Sequence, residues 1–361
     1  MTAAGRGQDM QLSLPGRYSP AAFRLLRLVE HFCLEQLSLP HGSHLLLGVS
    51  GGADSTALAL IMRLLSPRLG LTLHALSINH GLRPEAGKDA SIAQEICNGL
   101  DIPCLIRRVD VRRFADEHRM GLEDAGRRLR YALLEQERLA CGAEFIALGH
   151  HAGDVSEDVL LRLVRGTGWP ALGGMSAHDS RRHLIRPLLI TSPADLRALL
   201  RECGLIWRED SSNADPHFTR NRLRNTVLPL LKRENPQLER SLTHLWQLAR
   251  LDEEFWNAQL DMALATCPWQ KDASGILLPA ALLNTLPPAA RLRLYMRAIH
   301  DLLQQNPAIT PHTGQARAST LLNLDTALQQ KRGNTHFQLP GFLEAHLTQG
   351  AIHFRLLHKN T

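Results

Sequence analysis

Between His44 and Leu189, short apolar runs alternate with longer stretches in which apolar residues recur every three or four positions. The runs LLLGVS, LHALSIN, CLIRRVDV and EFIALGH are bounded by turn residues and predict buried strands. The segments between them carry helical spacing: Asp54–Leu65, ended by Ser66-Pro67; Gly87–Cys97; Leu122–Ala140; and, after the fourth run, Asp154–Arg165. HLIRPLLI predicts one more strand. SPADLRALLREC predicts a helix capped by Ser192, with Pro193 at its first position. Strands alternating with helices imply an α/β fold, a Rossmann-like parallel sheet with crossover helices on both faces.

Beyond Pro229 the pattern changes. Leu238, Leu242, Leu245, Leu248 and Leu251 follow helical steps and predict a long amphipathic helix. More helix follows, then HFQLPGFLEAHLTQGAIHFRLL, which reads as short strands joined at Pro340-Gly341 and Gln349-Gly350. The expected organisation is a loose tail over 1–20, an α/β domain over 21–231, and a smaller, mostly helical domain with a β-hairpin region over 232–361.

Composition narrows the class. The chain has 361 residues, 44% hydrophobic and 21% charged, which suits a water-soluble protein with two cores. No apolar run approaches the roughly 18 residues of a membrane span, and the first twenty residues lack the apolar core of a signal peptide, so a cytoplasmic protein is expected. Six scattered cysteines without a CxxC pair argue against a zinc ribbon, an iron–sulfur centre or a disulfide framework, and read as small packed residues. The net charge of +6, carried mostly by arginine, suits a polyanionic partner, although an evenly charged surface would give the same sum.

The chemistry concentrates in LLLGVSGGADSTALAL, where Ser50, Gly51, Gly52, Ala53, Asp54 and Ser55 separate a strand from a helix. Ligands of open parallel sheets sit at such strand-to-helix turns. Glycines let backbone N–H groups approach an anion, the helix N-terminus adds partial positive charge, and two hydroxyls add donors. A carboxylate would repel phosphate, so Asp54 makes sense as a ligand of a Mg2+ ion that accompanies the phosphates. The lysine of a Walker A loop and the GxGxxG of a dinucleotide fold are both absent.

This stretch resembles the PP-loop, SGGxDS, of ATP pyrophosphatases, which cleave ATP between its α- and β-phosphates. Four further stretches, SINHGLRPEA, GLEDAGRRLRY, GHHAGDVSEDVLLRLVRGTG and REDSSNADPHFTRNRLRNTVLPLL, are similar in that order to those of tRNA(Ile)-lysidine synthetases. The resemblance implies ATP and Mg2+ as cofactors. It implies L-lysine and a tRNA(Ile) with a CAU anticodon as the other substrates, and transfer of lysine to carbon 2 of the wobble cytidine. A tRNA thiolase and a catalytically silent RNA-binding relative are the alternatives; the cysteine pairs usual in thiolases are missing.

The resemblance also distributes roles. Asn79 and His80, ending the second strand, join Ser50–Ser55 as ATP contacts, unless His80 is a bystander. Arg127, spaced with Glu123 and Tyr131 along one helix face, and Arg130 beside it lie where the family uses arginine near lysine and cytidine; spacing alone would equally give a solvated face. His150, His151, Asp154 and Glu157 are expected to be catalytic or to contact phosphate, lysine or cytidine. Arg220, Asn221, Arg222 and Arg224 form a basic cluster expected to meet tRNA. The family pattern GHHxDDQxET is broken at three places, by Gly153, Val155 and Asp158.

Overall fold

The structure is a computed structural model that describes residues 18–81, 86–208, 219–272, 274–305, 316–339 and 342–357. It divides into two compact units. The first takes in the described residues up to Asp158 together with Met175–Thr243; the second combines Val159–Gly174 with the described residues from His244 onward.

In chain order the elements up to the second unit's main body are α1 (Pro20–His31), β1 (His44–Gly48), α2 (Ala53–Leu69), β2 (Thr72–Asn79), α3 (Ala86–Gly99), β3 (Cys104–Arg108), α4 (Val111–His118), α5 (Leu122–Cys141), β4 (Phe145–Ala147), α6 (Ala152–Val164), β5 (His178–Asp179), β6 (Leu184–Ile185), α7 (Pro193–Glu202), α8 (Thr219–Arg222), α9 (Leu228–Glu234) and α10 (Leu238–Thr266). The sheet runs β3-β2-β1-β4-β6-β5, parallel except where β5 pairs with β6. Leu45, Leu46 and Leu47 of the central β1 are at most 1% exposed, because helices cover both faces. On one face Leu46, Leu76 and Ile146 pack with Leu134 of α5. On the other lies α2, buried nearly all round at Ala57, Leu58, Leu60, Ile61 and Met62, with α7 and α1 against it.

All four predicted strands of the parallel sheet form, and so do the helices between them. Ser192 caps α7 as expected, its hydroxyl accepting the Ala194 N–H at 3.2 Å. Three details differ from the sequence reading. Pro67 does not end α2, which continues to Leu69 and stops at left-handed Gly70. A proline at 67 removes the N–H that would bond Arg63 O, but the Ser66 hydroxyl donates to that carbonyl at 2.8 Å and replaces the lost partner. HLIRPLLI supplies only the two strand residues of β6, since Pro187 cannot donate to a ladder. And VRRFADEH forms α4, capped by Asp110.

The second unit holds most of α10 and then β7 (Gln270–Asp272), β8 (Gly275–Leu278), α11 (Ala280–Thr285), α12 (Pro288–Gln305), α13 (Ala318–Gln329), β9 (Thr335–Leu339), β10 (Leu343–Thr348) and β11 (Ala351–Leu356). Its strands form one antiparallel sheet, β7-β8-β11-β10-β9, larger than the expected hairpin region. Gln349 and Gly350 make the two-residue turn between β10 and β11 with φ of 46° and 80°, the left-handed pair that matches hairpin twist. Pro340 and Gly341 lie outside the described residues. The core packs Ile276, Leu294, Tyr295, Leu324, Ala345 and Phe354. A buried, fully bonded Arg291–Asp325 pair, joined by Tyr295 and Gln329, ties α12 to α13.

Candidate active site

The carboxyl ends of β1, β2, β4 and β6 present their following residues along one rim of the first unit. After β1 the chain passes through Ser50 and Gly51, whose φ of 81° requires a glycine, and enters α2 with Gly52 as N-cap. The Ser55 hydroxyl folds back to accept the Ser50 N–H at 3.1 Å and to donate to Gly52 O at 3.1 Å; it also lies 3.1 Å from the Ser50 hydroxyl. Both serines therefore shape the loop. The N–H groups of the first turn of α2 have no partner within the helix and face outward as an anion cradle. Arg208 donates its backbone N–H to Gly51 O at 3.0 Å, pinning the loop from the side.

The β4 rim closes on this cradle. A Cβ at Gly149 would lie 2.6 Å from Asp54 O, so only glycine lets the two backbones meet. Two residues on, His151 Nε2 lies 3.3 Å from Asp54 Oδ1, and its Nδ1 accepts the Gly153 N–H at 3.0 Å. The ring therefore presents its N–H to Asp54, although the alignment falls short of a full hydrogen bond. The buried Asp54 Oδ1 has no hydrogen-bond donor among the described residues. Burial disfavours the charged imidazole of His151, but the carboxylates of Asp54, Asp154 and Glu157 outweigh it and the pKa is raised. His150 and His80 behave in the opposite way: desolvation, reinforced by nearby arginines, pushes each down to about 4. Both are neutral at pH 7, and each keeps a buried Nδ1 with no hydrogen-bond partner among the described residues. Asn79 is used locally, its Oδ1 accepting the Gly81 N–H at 3.0 Å.

Asp154 and Glu157, on one face of α6, are 8% and 3% exposed. Asp154 Oδ2 caps the rim by accepting the His151 N–H at 3.0 Å, and its Oδ1 accepts from Arg220 Nη2 at 2.9 Å. Glu157 Oε2 accepts from Arg220 Nε at 2.8 Å and Arg224 Nη2 at 2.9 Å, and its Oε1 bonds Arg224 Nε. Arg220 and Arg224 stand one turn apart, the first in α8 and the second in the π-helical turn Leu223–Val227. Their guanidinium groups are thus turned towards the carboxylates of α6, while the exposed Arg222 bonds the Thr219 hydroxyl at 3.0 Å.

Across the rim, the ring of Tyr131 in α5 meets the guanidinium groups of Arg127, 5.2 Å from its centre, and Arg182, 4.7 Å away. Solvent reaches Arg130, yet surrounding protein, Arg127 and Arg220 lower its pKa. Arg186, 6% exposed, donates to Ser176 O at 2.7 Å and keeps a buried Nε without a hydrogen-bond partner among the described residues. Sequence reasoning missed Arg182, Arg186 and Arg208. The signal for Arg186 was an arginine inside an otherwise apolar run; the other two carry none.

An amide cradle, an unpartnered carboxylate oxygen beside it and a wall of arginines define a PP-loop nucleotide site, and the PP-loop domain family matches residues 22–231. The fold is similar to that of the U34-tRNA thiolase NcsA from Methanococcus maripaludis, with a TM-score of 0.53, 18% identity, and coverage of 64% of this chain and 80% of that one. Sequence relatives are more specific. The tRNA(Ile)-lysidine synthase of Nitratidesulfovibrio vulgaris is 42% identical over 326 residues, 86% of this chain and 91% of that protein. That of Geobacter sulfurreducens is 36% identical over 276 residues, 76% of this chain and 58% of that protein. The chain belongs to the tRNA(Ile)-lysidine synthase family.

Proposed function

We infer that this protein ligates L-lysine to carbon 2 of the wobble cytidine in a CAU-anticodon tRNA(Ile), converting ATP to AMP and diphosphate. The observation that carries this reading is the PP-loop cradle with Asp54 at its mouth, in a chain 42% identical to a lysidine synthase over most of its length. The cytidine carbonyl oxygen attacks the α-phosphorus of ATP, diphosphate leaves, and the lysine ε-amine then displaces AMP from carbon 2.

Each part of the site has a task in that sequence. The free N–H groups of α2 hold phosphate oxygens. Asp54 Oδ1, lacking a donor among the described residues, fits a Mg2+ ligand, and the ion would neutralise charge developing on the phosphates. His151 positions Asp54 from behind while Asp154 holds the His151 backbone. Neutral His80 and His150 line the rim as hydrogen-bonding groups that do not repel an incoming ammonium. Arg127, Arg130 and Arg186 supply positive charge for the lysine carboxylate and for RNA phosphates. Arg222 and Asn221 extend that surface, and residues beyond about 231 act as the tRNA-docking part. The reaction is placed in the cytoplasm, where tRNA is; no helix among the described residues is long and apolar enough to cross a membrane.

The test is mass analysis of nucleosides from a CAU-anticodon tRNA incubated with the protein, ATP, magnesium and lysine. Cytidine should gain the mass of lysine less water, and AMP should appear only when ATP, lysine and tRNA are all present. AMP formation without a modified nucleoside would overturn the reading.

A further inference from the structure

At the opposite end of β1 from the PP-loop, three side chains distant in sequence meet. His44 opens β1, His74 lies in β2 and Cys141 ends α5. Parallel register sets Leu46 beside His74, so His44 and His74 stand diagonally on the sheet face that α5 covers. His44 Nε2 and His74 Nδ1 are 2.7 Å apart, and one ring nitrogen of each histidine and Cys141 Sγ all lie within 4.8 Å of one another. All three residues are half-buried. We propose that His44, His74 and Cys141 form a binding site for a zinc-like divalent transition metal, separate from the nucleotide site.

Two imidazole nitrogens and a thiolate are the donor set that Zn2+ and Co2+ prefer, with metal–nitrogen distances of about 2.0–2.1 Å and metal–sulfur of about 2.3 Å. Tetrahedral angles then require nitrogens roughly 3.4 Å apart and each roughly 3.6 Å from sulfur. The imidazoles must separate by less than 1 Å or so, and the thiol must swing in by a similar amount, movements that side-chain torsions allow. The surroundings are preset. The Cys141 thiol donates only to Arg138 O, at a long 3.6 Å, and its proton leaves to solvent when the sulfur coordinates. Arg138 itself is fixed by Glu135 and by Ala143 O, which anchors the end of α5. The His44 ring also bonds the Gly142 backbone, the kind of outer contact that fixes a ligating tautomer. A water completes the fourth position. Six residues of strand and turn place this site about 20 Å from Ser50. The metal would staple β1, β2 and α5 without touching the reaction.

The experiment titrates the chelator-treated full-length protein with Co2+ alone, without nucleotide. One ion should bind per chain with a thiolate-to-cobalt charge-transfer band. Cys141→Ser should abolish the band, and His44→Gln or His74→Gln should weaken binding about 100-fold. A wild-type complex without that band, or an unchanged spectrum in Cys141→Ser, would overturn the proposal. Alkylation needs no variant: Zn2+ should slow iodoacetamide attack on Cys141, mapped by peptide mass, and chelator should restore it. Equal labelling with and without Zn2+ would equally sink the site.

Discussion

A Cβ on Gly153 would lie 2.8 Å from Cε1 of His151 and 3.0 Å from its Nδ1. The bare backbone at 153 is what lets the imidazole fold over it, take the Gly153 N–H and reach Asp54. The departure from the family's usual aspartate is therefore coupled to how this chain holds its nucleotide-site carboxylate. Gly153→Asp restores the family residue but must push the ring aside. AMP formation should fall about tenfold or more, as small misplacements in active sites do, while unfolding is little changed. Parental turnover in Gly153→Asp across a magnesium titration would show that His151 does not position Asp54.

Asp54→Asn keeps shape and volume but removes the charge of an oxygen that has no hydrogen-bond donor among the described residues. AMP formation should be nearly abolished at limiting magnesium, and the thermal midpoint should stay close to the parent's, since no core volume is lost. Normal turnover at low magnesium would rule out a metal role.

The sheet and the PP-loop were legible because buried parallel strands and a glycine-rich turn leave strong one-dimensional signals. Pro67 misled because its compensation, the Ser66 hydroxyl on Arg63 O, is a three-dimensional contact. The basic cluster shows the same limit: charge counting reads Arg220 and Arg224 as a basic patch, while the carboxylates that hold them, Asp154 and Glu157, lie over sixty residues earlier in the chain. Arg182 and Tyr131 meet only after β6 and α5 come together. Sequence showed which residues could carry chemistry, and folding decided which of them face one another.

Acid should destabilise the fold through His80 and His150. Burial pushes each down to about 4 when folded, against 6.5 for a free imidazole. Between those values the unfolded chain binds more protons, so stability falls as pH drops through that window, by up to about 1.4 kcal/mol per pH unit for each group. His151, raised when folded, adds no slope there, because its stabilisation is already complete below 6.5 and is lost only as pH rises through its folded value. Asp154, lowered when folded, loses its contribution only below 3.8. Urea unfolding at pH 7 and pH 5 should show the loss, and His150→Gln should remove about half of it. Equal stability at both pH values would mean that the two rings are not held neutral.

Glu157 gathers two arginines of the basic cluster. It is 3% exposed and accepts bonds from both Arg220 and Arg224. Glu157→Ala leaves Arg220 and Arg224 with Asp154, and since their side chains are 36% and 33% exposed the cost should fall below the about 3–5 kcal/mol of a fully buried pair. Arg220→Ala should cost less, because Arg224 still reaches Glu157 and lies 3.6 Å from Asp154. Arg220→Ala should not alter the salt dependence of tRNA affinity, since that guanidinium group is engaged by carboxylates. Arg222→Ala should do the reverse: it leaves stability within about 0.5 kcal/mol and reduces the slope of log affinity against log salt by about 1, the signature of one lost phosphate contact. Denaturant midpoints and filter binding over a salt series measure both. A reduced salt slope in Arg220→Ala with unchanged stability would reverse the assignment and return that arginine to the RNA surface.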